Sequence, residues 1–398
     1  MTPTWLTADF VQEILRTTHQ NNSISVKNIK IEPAIPKGNN FMGVLYRVHL
    51  DVNDNEVKKS LIVKTQAQGE YMNMVTETCG FFPREIRMYA AMFPAMYKLS
   101  QGKLDNYIIS PMYFPCSMKD VIIMEDLVSQ GFQMKERRLQ FDFVHSVSAF
   151  KTLAKFHAMS MAVNVHDPTM KDHFEDFYDN DVLRSIFGRF LASSLASLAK
   201  KLEKWPGQEY YAAKVHKISE NVTDTMAELS KPGPLMVLNH GDIWVNNILF
   251  RYNGNEITDV RIVDFQMTKW ASPANDLYYL LYSSVQEQVR EQHADTLLSE
   301  YHATLSDTLT ALGCSQEIFS LQQLHQEMKD KIFYGFLHAS LTLCVTLAEP
   351  CGVMDTESFE LKDMDDGHAN PIEQSEFSPR FREVFPKVLR YFEENGVL

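Results

Sequence analysis

The chain has 398 residues, enough for two domains or lobes, and its hydrophobic fraction of 45% is ordinary for a soluble protein. Its formal net charge of −13, with no run of Lys or Arg, argues against a nucleic-acid partner, because the phosphates would be repelled. We expect a cytoplasmic protein with no membrane insertion, because the N-terminus lacks a signal peptide and no apolar run is long enough to span a membrane. The five cysteines, with no C-x-x-C pair, suit free thiols in a reducing cytosol, and no obligate protein partner is evident.

The first part of the chain predicts a small antiparallel β layer after one short helix at 7–18. Apolar residues alternate with polar ones at 24–31 and 44–50, and a returning strand follows at 59–65. The turn between the first strands contains Gly38, Asn39, Asn40 and Phe41. Its backbone N–H groups can face a phosphate, although a plain hairpin loop explains the same residues.

Lys64 ends the apolar returning strand, where an amine needs a carboxylate or a phosphate unless it reaches water. A lysine that holds the phosphates of a nucleotide needs an acidic partner on a following helix. Glu85 is one candidate, because Pro83 suits the first turn of such a helix, and Glu77 is the competing candidate. The alternatives are a surface lysine on the strand and a solvated Glu85 at the helix N-terminus.

The next apolar strand turns polar at Glu125, and Leu127 follows shortly after. The predicted structure changes from strands to helices here, which favours a hinge at 124–130 over a strand end with solvated acids. A later helical pattern contains His157, whose apolar surroundings favour a hydrogen-bonded core histidine over a catalytic base. The acidic, aromatic stretch 171–181 suits cation–π binding of a quaternary ammonium group, but a solvated linker is the favoured interpretation.

Asp242 precedes Asn247 by five residues, and Asp264 ends a second apolar run. Apolar strands around this loop, with the hairpin signal at 253–254, bring Asp264 back beside Asn247. Phosphoryl transfer needs one carboxylate at the acceptor hydroxyl and oxygen ligands for Mg²⁺ on the phosphates. We therefore predict that Asp242 is the catalytic base and that Asn247 and Asp264 are the metal ligands; turn residues and strand caps are the alternative.

The segment His240-Gly241-Asp242-Ile243-Trp244-Val245-Asn246-Asn247, with Val263-Asp264-Phe265-Gln266, resembles the insect ecdysteroid kinase-like family. The residues around Glu85 show the same Phe-x-x-Glu-x-x-x-Tyr spacing as that family, and this resemblance favours Glu85 as the partner of Lys64. Its members are relatives of choline kinases and aminoglycoside phosphotransferases. The resemblance implies an α+β, two-lobed protein-kinase-like fold. A small nucleotide-binding lobe with antiparallel strands would span 1–127, and a larger, mainly helical catalytic and acceptor-binding lobe would span 128–398.

The resemblance also implies an ATP-dependent small-molecule kinase. ATP would lie under the loop 38–43, with its adenine against the main chain of Glu125 and Leu127 and its phosphates on Lys64. Asp276 would brace the catalytic loop. The leading acceptor is an ecdysteroid or a related hydrophobic alcohol. Choline or ethanolamine kinase activity is the first alternative, and a non-catalytic ligand-binding protein on a kinase scaffold is the second. A metal-dependent phosphohydrolase is the third, but it leaves Lys64 unexplained.

Overall fold

A computed structural model describes residues 2–34, 43–53, 57–66, 70–349, 371–374 and 376–398. The predicted phosphate-facing residues Gly38, Asn39, Asn40 and Phe41 lie outside these ranges. The described chain forms an antiparallel sheet in its first part and is mainly helical after it. The predicted α+β architecture, with a small antiparallel β lobe followed by a larger, mainly helical lobe, is therefore confirmed.

The described residues of the first lobe form five strands: β1 (Val26–Pro33), β2 (Gly43–Val52), β3 (Val57–Gln66), β4 (Tyr113–Phe114) and β5 (Val121–Glu125). They form one antiparallel sheet in the spatial order β1-β2-β3-β5-β4. Helix α1 (Ala8–His19) begins after Thr7, whose hydroxyl accepts a hydrogen bond from the backbone N–H of Phe10 at 3.3 Å. Its buried face packs with the sheet in a small core of its own.

Alternation along β3 separates the two faces of this sheet. Leu61 and Val63 are buried in the small core against α1, whereas Ile62 packs against the large core of the second lobe. Successive side chains of a strand point to opposite faces, so Lys64 lies on the same face as Ile62. The lysine therefore points toward the second lobe.

Between β3 and β4, residues 70–112 contain three α-helices: α2 (Glu70–Cys79), α3 (Phe81–Arg87) and α4 (Phe93–Ser100). A π-helical turn, Met88–Met92, joins the last two, so the chain is helical without interruption from α3 to α4. Phe82, Tyr89 and Phe93 on this stretch are buried in the large core. The predicted helix around Glu85 is present and starts two residues before Pro83.

The long helices of the second lobe are α5 (Phe143–His166), α6 (Asp181–Leu202), α7 (Glu209–Leu229), α8 (Ala274–Ser283), α9 (Glu287–Leu312), α10 (Leu321–Asp330) and α11 (Phe333–Thr346). A short helix, Pro371–Gln374, and a longer one, Pro379–Glu394, follow. Asp142 caps α5 by accepting a hydrogen bond from the N–H of His145 at 3.0 Å. These helices bury the large core that supports the site from below.

Helix α6 departs from the sequence-based expectation about membrane spans. Within the described residues, it alone is long and apolar enough to cross a membrane by length and composition. One such helix is weak evidence, because the core helix of a soluble protein meets the same test. Gly188 of α6 lies so close to α7 that a Cβ there would be 2.4 Å from Oγ1 of Thr223. The helix therefore packs directly on its neighbour within the lobe.

Five short strands surround the loop that carries Asp242. Strands β6 (Phe132–Met134), β8 (Ile248–Asn253) and β9 (Glu256–Ile262) form one antiparallel sheet, and β7 (Val237–Asn239) pairs with β10 (Lys269–Ala271). The predicted hairpin is present, and Ile248 pairs with Ile262 across it. The N–H of Val263 donates to the carbonyl of Asn247 at 3.0 Å, so the chain after β9 returns to the start of β8.

Candidate active site

Lys64 is the buried cation at the centre of the site. Its Nζ lies 2.6 Å from Oε2 of Glu85 and 2.6 Å from Oδ1 of Asp264. The competing carboxylate, Glu77, is exposed, whereas only 1% of the Glu85 side chain is exposed. The predicted Lys64–Glu85 pair is therefore present. The geometry excludes a surface lysine, since only 3% of the Lys64 side chain is exposed.

Charge pairing decides the protonation of this cluster. Burial opposes the charged form of Lys64, but the negative charges of Asp264 and Glu85 outweigh burial and raise its pKa. Burial raises the pKa of Glu85, and Lys64 opposes that shift. An ammonium group between two carboxylates keeps its proton at neutral pH. The ammonium group of Lys64 is thus fixed in place, paired with two carboxylates, where β3 faces the second lobe.

Asp264 follows β9 at a backbone turn that few residues adopt. Its φ of 69° and ψ of 64° lie in the left-handed region, where Asp is better tolerated than branched residues. This conformation directs its carboxylate toward Lys64. Gln266 adds a second contact from the same loop, because its Oε1 accepts a hydrogen bond from Lys64 Nζ at 3.3 Å. No sequence pattern predicted this role for Gln266.

Both carboxylate oxygens of Asp242 accept hydrogen bonds. Tyr279 donates its hydroxyl to Oδ1 at 2.5 Å, and Asn247 donates its amide N–H to Oδ2 at 3.1 Å. The same amide nitrogen also donates to the backbone carbonyl of Asp242 at 2.8 Å. Burial and, after it, the charge of Asp264 raise the pKa of Asp242 to about 7. Such a carboxylate suits a general base that works near neutral pH.

Asp276 of α8 holds the backbone of the loop that carries Asp242. The Asp276 carboxylate accepts the backbone N–H groups of His240 at 2.6 Å and Gly241 at 2.9 Å. His157 also contacts this carboxylate through Nε2 at 3.2 Å, while its Nδ1 meets the Tyr301 hydroxyl at 2.7 Å. His157 is fully buried with both ring nitrogens partnered, so the prediction of a satisfied core histidine is confirmed. Asp276 braces the loop, as predicted.

Gly241 is required by the shape of this loop. Its φ is +80°, and a Cβ at this position would lie 2.2 Å from the carbonyl oxygen of Met267. The loop before Asp242 and the loop after Asp264 therefore touch through their backbones. A residue with a side chain cannot bring them this close.

The residues predicted to hold Mg²⁺ fit that ion by the chemistry of their donor atoms. Asn247 uses its amide nitrogen on Asp242, which leaves its amide oxygen for a cation. Lys64 uses Oδ1 of Asp264, so the second oxygen of that carboxylate is outside this ion pair. Across the described parts of the chain, no group of three or more His, Cys, Asp or Glu residues forms a metal cage. Mg²⁺ commonly uses one or two carboxylates and takes its other ligands from phosphate and water.

The predicted hinge residues lie where the sheet of the first lobe ends. Glu125 is the last residue of β5, and its carboxylate accepts hydrogen bonds from the N–H of Met112 at 2.9 Å and the amide of Gln130 at 2.6 Å. Leu127 is buried against Phe132 of β6. The Glu125 side chain is thus engaged locally, which leaves main-chain atoms as the groups that this segment offers to a ligand.

The prediction of a solvated linker at 171–181 is wrong for its centre. Phe174, Asp176, Phe177 and Tyr178 are buried. The carboxylate of Asp176 lies 2.9 Å from Nζ of Lys269, a buried lysine of β10. Local sequence carries no sign of this pair, because its partners are 93 residues apart. Since Lys269 neutralises Asp176, this carboxylate is not free to hold an ammonium group.

Tyr279 and His338 are two site residues that the sequence analysis missed. Tyr279 lies three residues after Asp276 on α8, a spacing that places both on one side of a helix and could have identified it. His338 lies on α11, and its ring centre is 4.0 Å from that of Tyr279. Burial lowers the pKa of His338 to about 3, so its ring is neutral. No local pattern predicts that contact.

The chain is similar to one known protein family and to several solved structures. Residues 37–314 match the ecdysteroid kinase-like family. Similar solved structures include a choline kinase from Cryptosporidium parvum Iowa II, with 13% identity, a TM-score of 0.49, and coverage of 93% of this chain and 91% of that chain. A Plasmodium vivax ethanolamine kinase has 12% identity and a TM-score of 0.34, with coverage of 81% of this chain and 83% of that chain. An aminoglycoside-3'-phosphotransferase of type VIII has 14% identity and a TM-score of 0.37, with coverage of 77% of this chain and 98% of that chain. No curated protein matches the sequence. Because the family match covers well over half of the 398 residues, the chain belongs to the ecdysteroid kinase-like family.

Proposed function

We propose that this protein is an ATP-dependent kinase that transfers the γ-phosphoryl group to a hydroxyl of a small molecule, with an ecdysteroid or a related hydrophobic alcohol as the leading acceptor. One observation carries the proposal: a buried lysine, a metal-fitting carboxylate and amide, and a hydrogen-bonded catalytic carboxylate converge between the two lobes. Family membership supports the same chemistry, since small-molecule phosphotransferases are the relatives of this chain.

Each residue has one task in the proposed reaction. The ammonium group of Lys64 attracts the nucleotide phosphates, and Glu85 fixes its direction from α3. Asn247 and Asp264 would hold Mg²⁺, which neutralises charge on the phosphates when it is bound. Asp242 accepts the proton of the acceptor hydroxyl as that oxygen attacks. Both oxygens of Asp242 are held by donors, so its carboxylate has a defined direction before the acceptor arrives.

We assign the nucleotide to the lobe of residues 1–127 and the acceptor to the lobe of 128–398. The main chain of Glu125 and Leu127 would meet the adenine, and the loop with Gly38, Asn39, Asn40 and Phe41 would cover the phosphates. The end of the sheet at Glu125 and the buried Leu127 support a connecting segment here. A cytoplasmic location stays a prediction.

The acceptor is the least constrained part of the proposal. Choline or ethanolamine kinase activity keeps the same chemistry and changes only the acceptor pocket. The Asp176–Lys269 pair weighs against an ammonium site in the 171–181 stretch, because that buried carboxylate already has a cation. A non-catalytic scaffold would have no reason to keep Lys64, Asp242 and Asn247 in this arrangement.

The test is a transfer assay with several acceptor classes. The purified protein is incubated with Mg²⁺ and ATP and with steroid, phenolic and amino alcohols, and mass spectrometry detects any phosphate adduct. We expect an adduct of one class, and we expect Asp242→Asn to abolish it while ATP affinity stays nearly unchanged. Full turnover by Asp242→Asn would remove the base assignment. The absence of any adduct, together with ATP binding, would favour the non-catalytic scaffold.

A further inference from the structure

We propose that Tyr279 is the positioning residue of the catalytic carboxylate and that the ring of His338 holds Tyr279 in place. The proposal rests on the phosphoryl-transfer function proposed above. It adds a task for two residues that lie outside the nucleotide and metal positions. Both come from helices of the second lobe, α8 and α11.

Donors from two separate parts of the chain hold the Asp242 carboxylate. Asn247 holds Oδ2 from the catalytic loop itself, whereas Tyr279 reaches Oδ1 from a separate helix. With one donor alone, the carboxylate group can rotate about its bond to Cβ, because that terminal rotation is soft. Two donors on different oxygens fix its plane. Each oxygen still has a second acceptor position, so the acceptor hydroxyl can donate to a carboxylate whose direction is already set.

The ring of His338 supports Tyr279. The ring centre of Tyr279 lies 4.0 Å from that of His338, with 33° between the ring planes. Among the described residues, the buried Nε2 atom of His338 has no hydrogen-bond partner. The contact of His338 with the site is therefore made by the face of its ring. Because the pKa of His338 is far below neutral pH, the ring next to Tyr279 carries no charge.

Loss of the hydrogen bond from Tyr279 to Asp242 has a kinetic consequence. The Tyr279 hydroxyl touches the base and lies outside the lysine and metal cluster, so its loss acts on the transfer step more than on nucleotide binding. A misdirected base costs rate even when its partners stay bound, and displacements near 1 Å cost about 100-fold. We expect Tyr279→Phe to lower kcat by at least about tenfold, with little change in the KM for ATP.

Tyr278 provides a matched control. It directly precedes Tyr279 on α8 and is buried to a similar degree, with 5% of its surface exposed against 9% for Tyr279. Its hydroxyl donates to one carbonyl oxygen, whereas the hydroxyl of Tyr279 bonds both Asp242 and the side chain of Thr342. The acceptor of the Tyr278 hydroxyl is the carbonyl of Met328, at 2.7 Å, and not Asp242. Tyr278→Phe therefore removes one buried hydrogen bond without touching the base. Equal kcat losses in Tyr279→Phe and Tyr278→Phe would overturn the proposal, since both would then report lost stability alone.

Two variants of His338 separate its ring from its nitrogen atoms. His338→Phe keeps an aromatic face beside Tyr279, and we expect kcat within about threefold of the unmodified protein. His338→Ala removes that face, and we expect a kcat loss approaching that of Tyr279→Phe. A large loss in His338→Phe, with kcat retained in His338→Ala, would contradict a packing role for the ring.

A crystal structure of Tyr279→Phe tests positioning without turnover. We expect the Asp242 carboxylate to rotate or to adopt two orientations, while Asn247 and Asp276 stay in place. An unchanged Asp242 would overturn the proposal even in a protein with no detectable kinase activity. Conversely, a rotated Asp242 in a protein that phosphorylates nothing would leave the positioning intact and refute only the proposed function.

Discussion

The contact between the Gly241 and Met267 backbones allows a sharp test with a matched control. Gly241→Ala places a Cβ 2.2 Å from the carbonyl oxygen of Met267 and 2.9 Å from its carbonyl carbon, at a φ of +80°. Gly254→Ala, in the β8–β9 turn, has a φ of +60° and no atom within 4 Å of the new Cβ. In both variants an alanine must adopt the left-handed conformation, which costs free energy. Only Gly241→Ala adds a steric overlap with the Met267 backbone.

The expected magnitudes follow from these two costs. A left-handed L-residue costs about 1–2 kcal/mol, so Gly254→Ala should lose about that much free energy of unfolding. The overlap at Gly241 is with backbone atoms, which cannot rotate away as a side chain can, and overpacking of this kind costs a further ~1–3 kcal/mol or more. Gly241→Ala should therefore lose about 2 kcal/mol more than its control.

Chemical denaturation of the two variants and the unmodified protein measures this difference. Because two lobes can unfold separately, the transition is followed by both tryptophan fluorescence and circular dichroism. We also expect Gly241→Ala to lose transfer activity, since the shift displaces the neighbouring Asp242, whereas Gly254→Ala keeps it. Equal destabilisation of the two variants would refute the reasoning, because it would mean that the two loops do not touch as described.

Three further predictions concern charge and metal. Lys64→Met leaves Glu85 buried without its cation and should lower the free energy of unfolding by about 3–5 kcal/mol in urea denaturation. Lys30→Met, which removes an exposed ion pair, is the control. No change in the free energy of unfolding of Lys64→Met would argue against the buried ion pair. Asp264→Ala should abolish the Mg²⁺-dependent part of ATP affinity in calorimetry, and unchanged affinity would place the metal elsewhere. Between pH 6.5 and about 3, His338 is protonated in the unfolded chain and neutral in the folded chain. The free energy of unfolding should therefore fall as the pH drops through this range, and it should fall less steeply in His338→Phe. Identical slopes of unfolding free energy against pH in the two proteins would contradict this.

Short-range sequence patterns predicted the parts of the site that lie on one segment. The spacing of Asp242 and Asn247, with the hairpin at 253–254, was enough to predict that Asp264 returns beside them, because a two-stranded hairpin leaves few alternatives. The pairing of Lys64 with Glu85 was also predicted, because a buried amine needs an anion and the Phe-x-x-Glu-x-x-x-Tyr spacing shared with the family falls on Glu85. Their roles toward a nucleotide stay predictions.

The missed residues depend on packing between distant segments. Tyr279 reaches Asp242 because α8 is anchored under the loop by Asp276, and His338 reaches Tyr279 because α11 packs on α8. The Asp176–Lys269 pair joins a stretch predicted as solvated to a short strand 93 residues later. Neither periodicity nor composition contains the angle between two helices, so these contacts need the three-dimensional arrangement.

The shared ammonium group of Lys64 has a thermodynamic consequence. One Nζ atom joins β3, helix α3 and the loop after β9, so a single group fastens the inner edges of both lobes. If Lys64 binds the nucleotide phosphates as proposed, an incoming phosphate competes with Asp264 for the same charge. Phosphate binding and the attachment of the loop to the sheet are therefore linked equilibria, and each must change the other by the same factor.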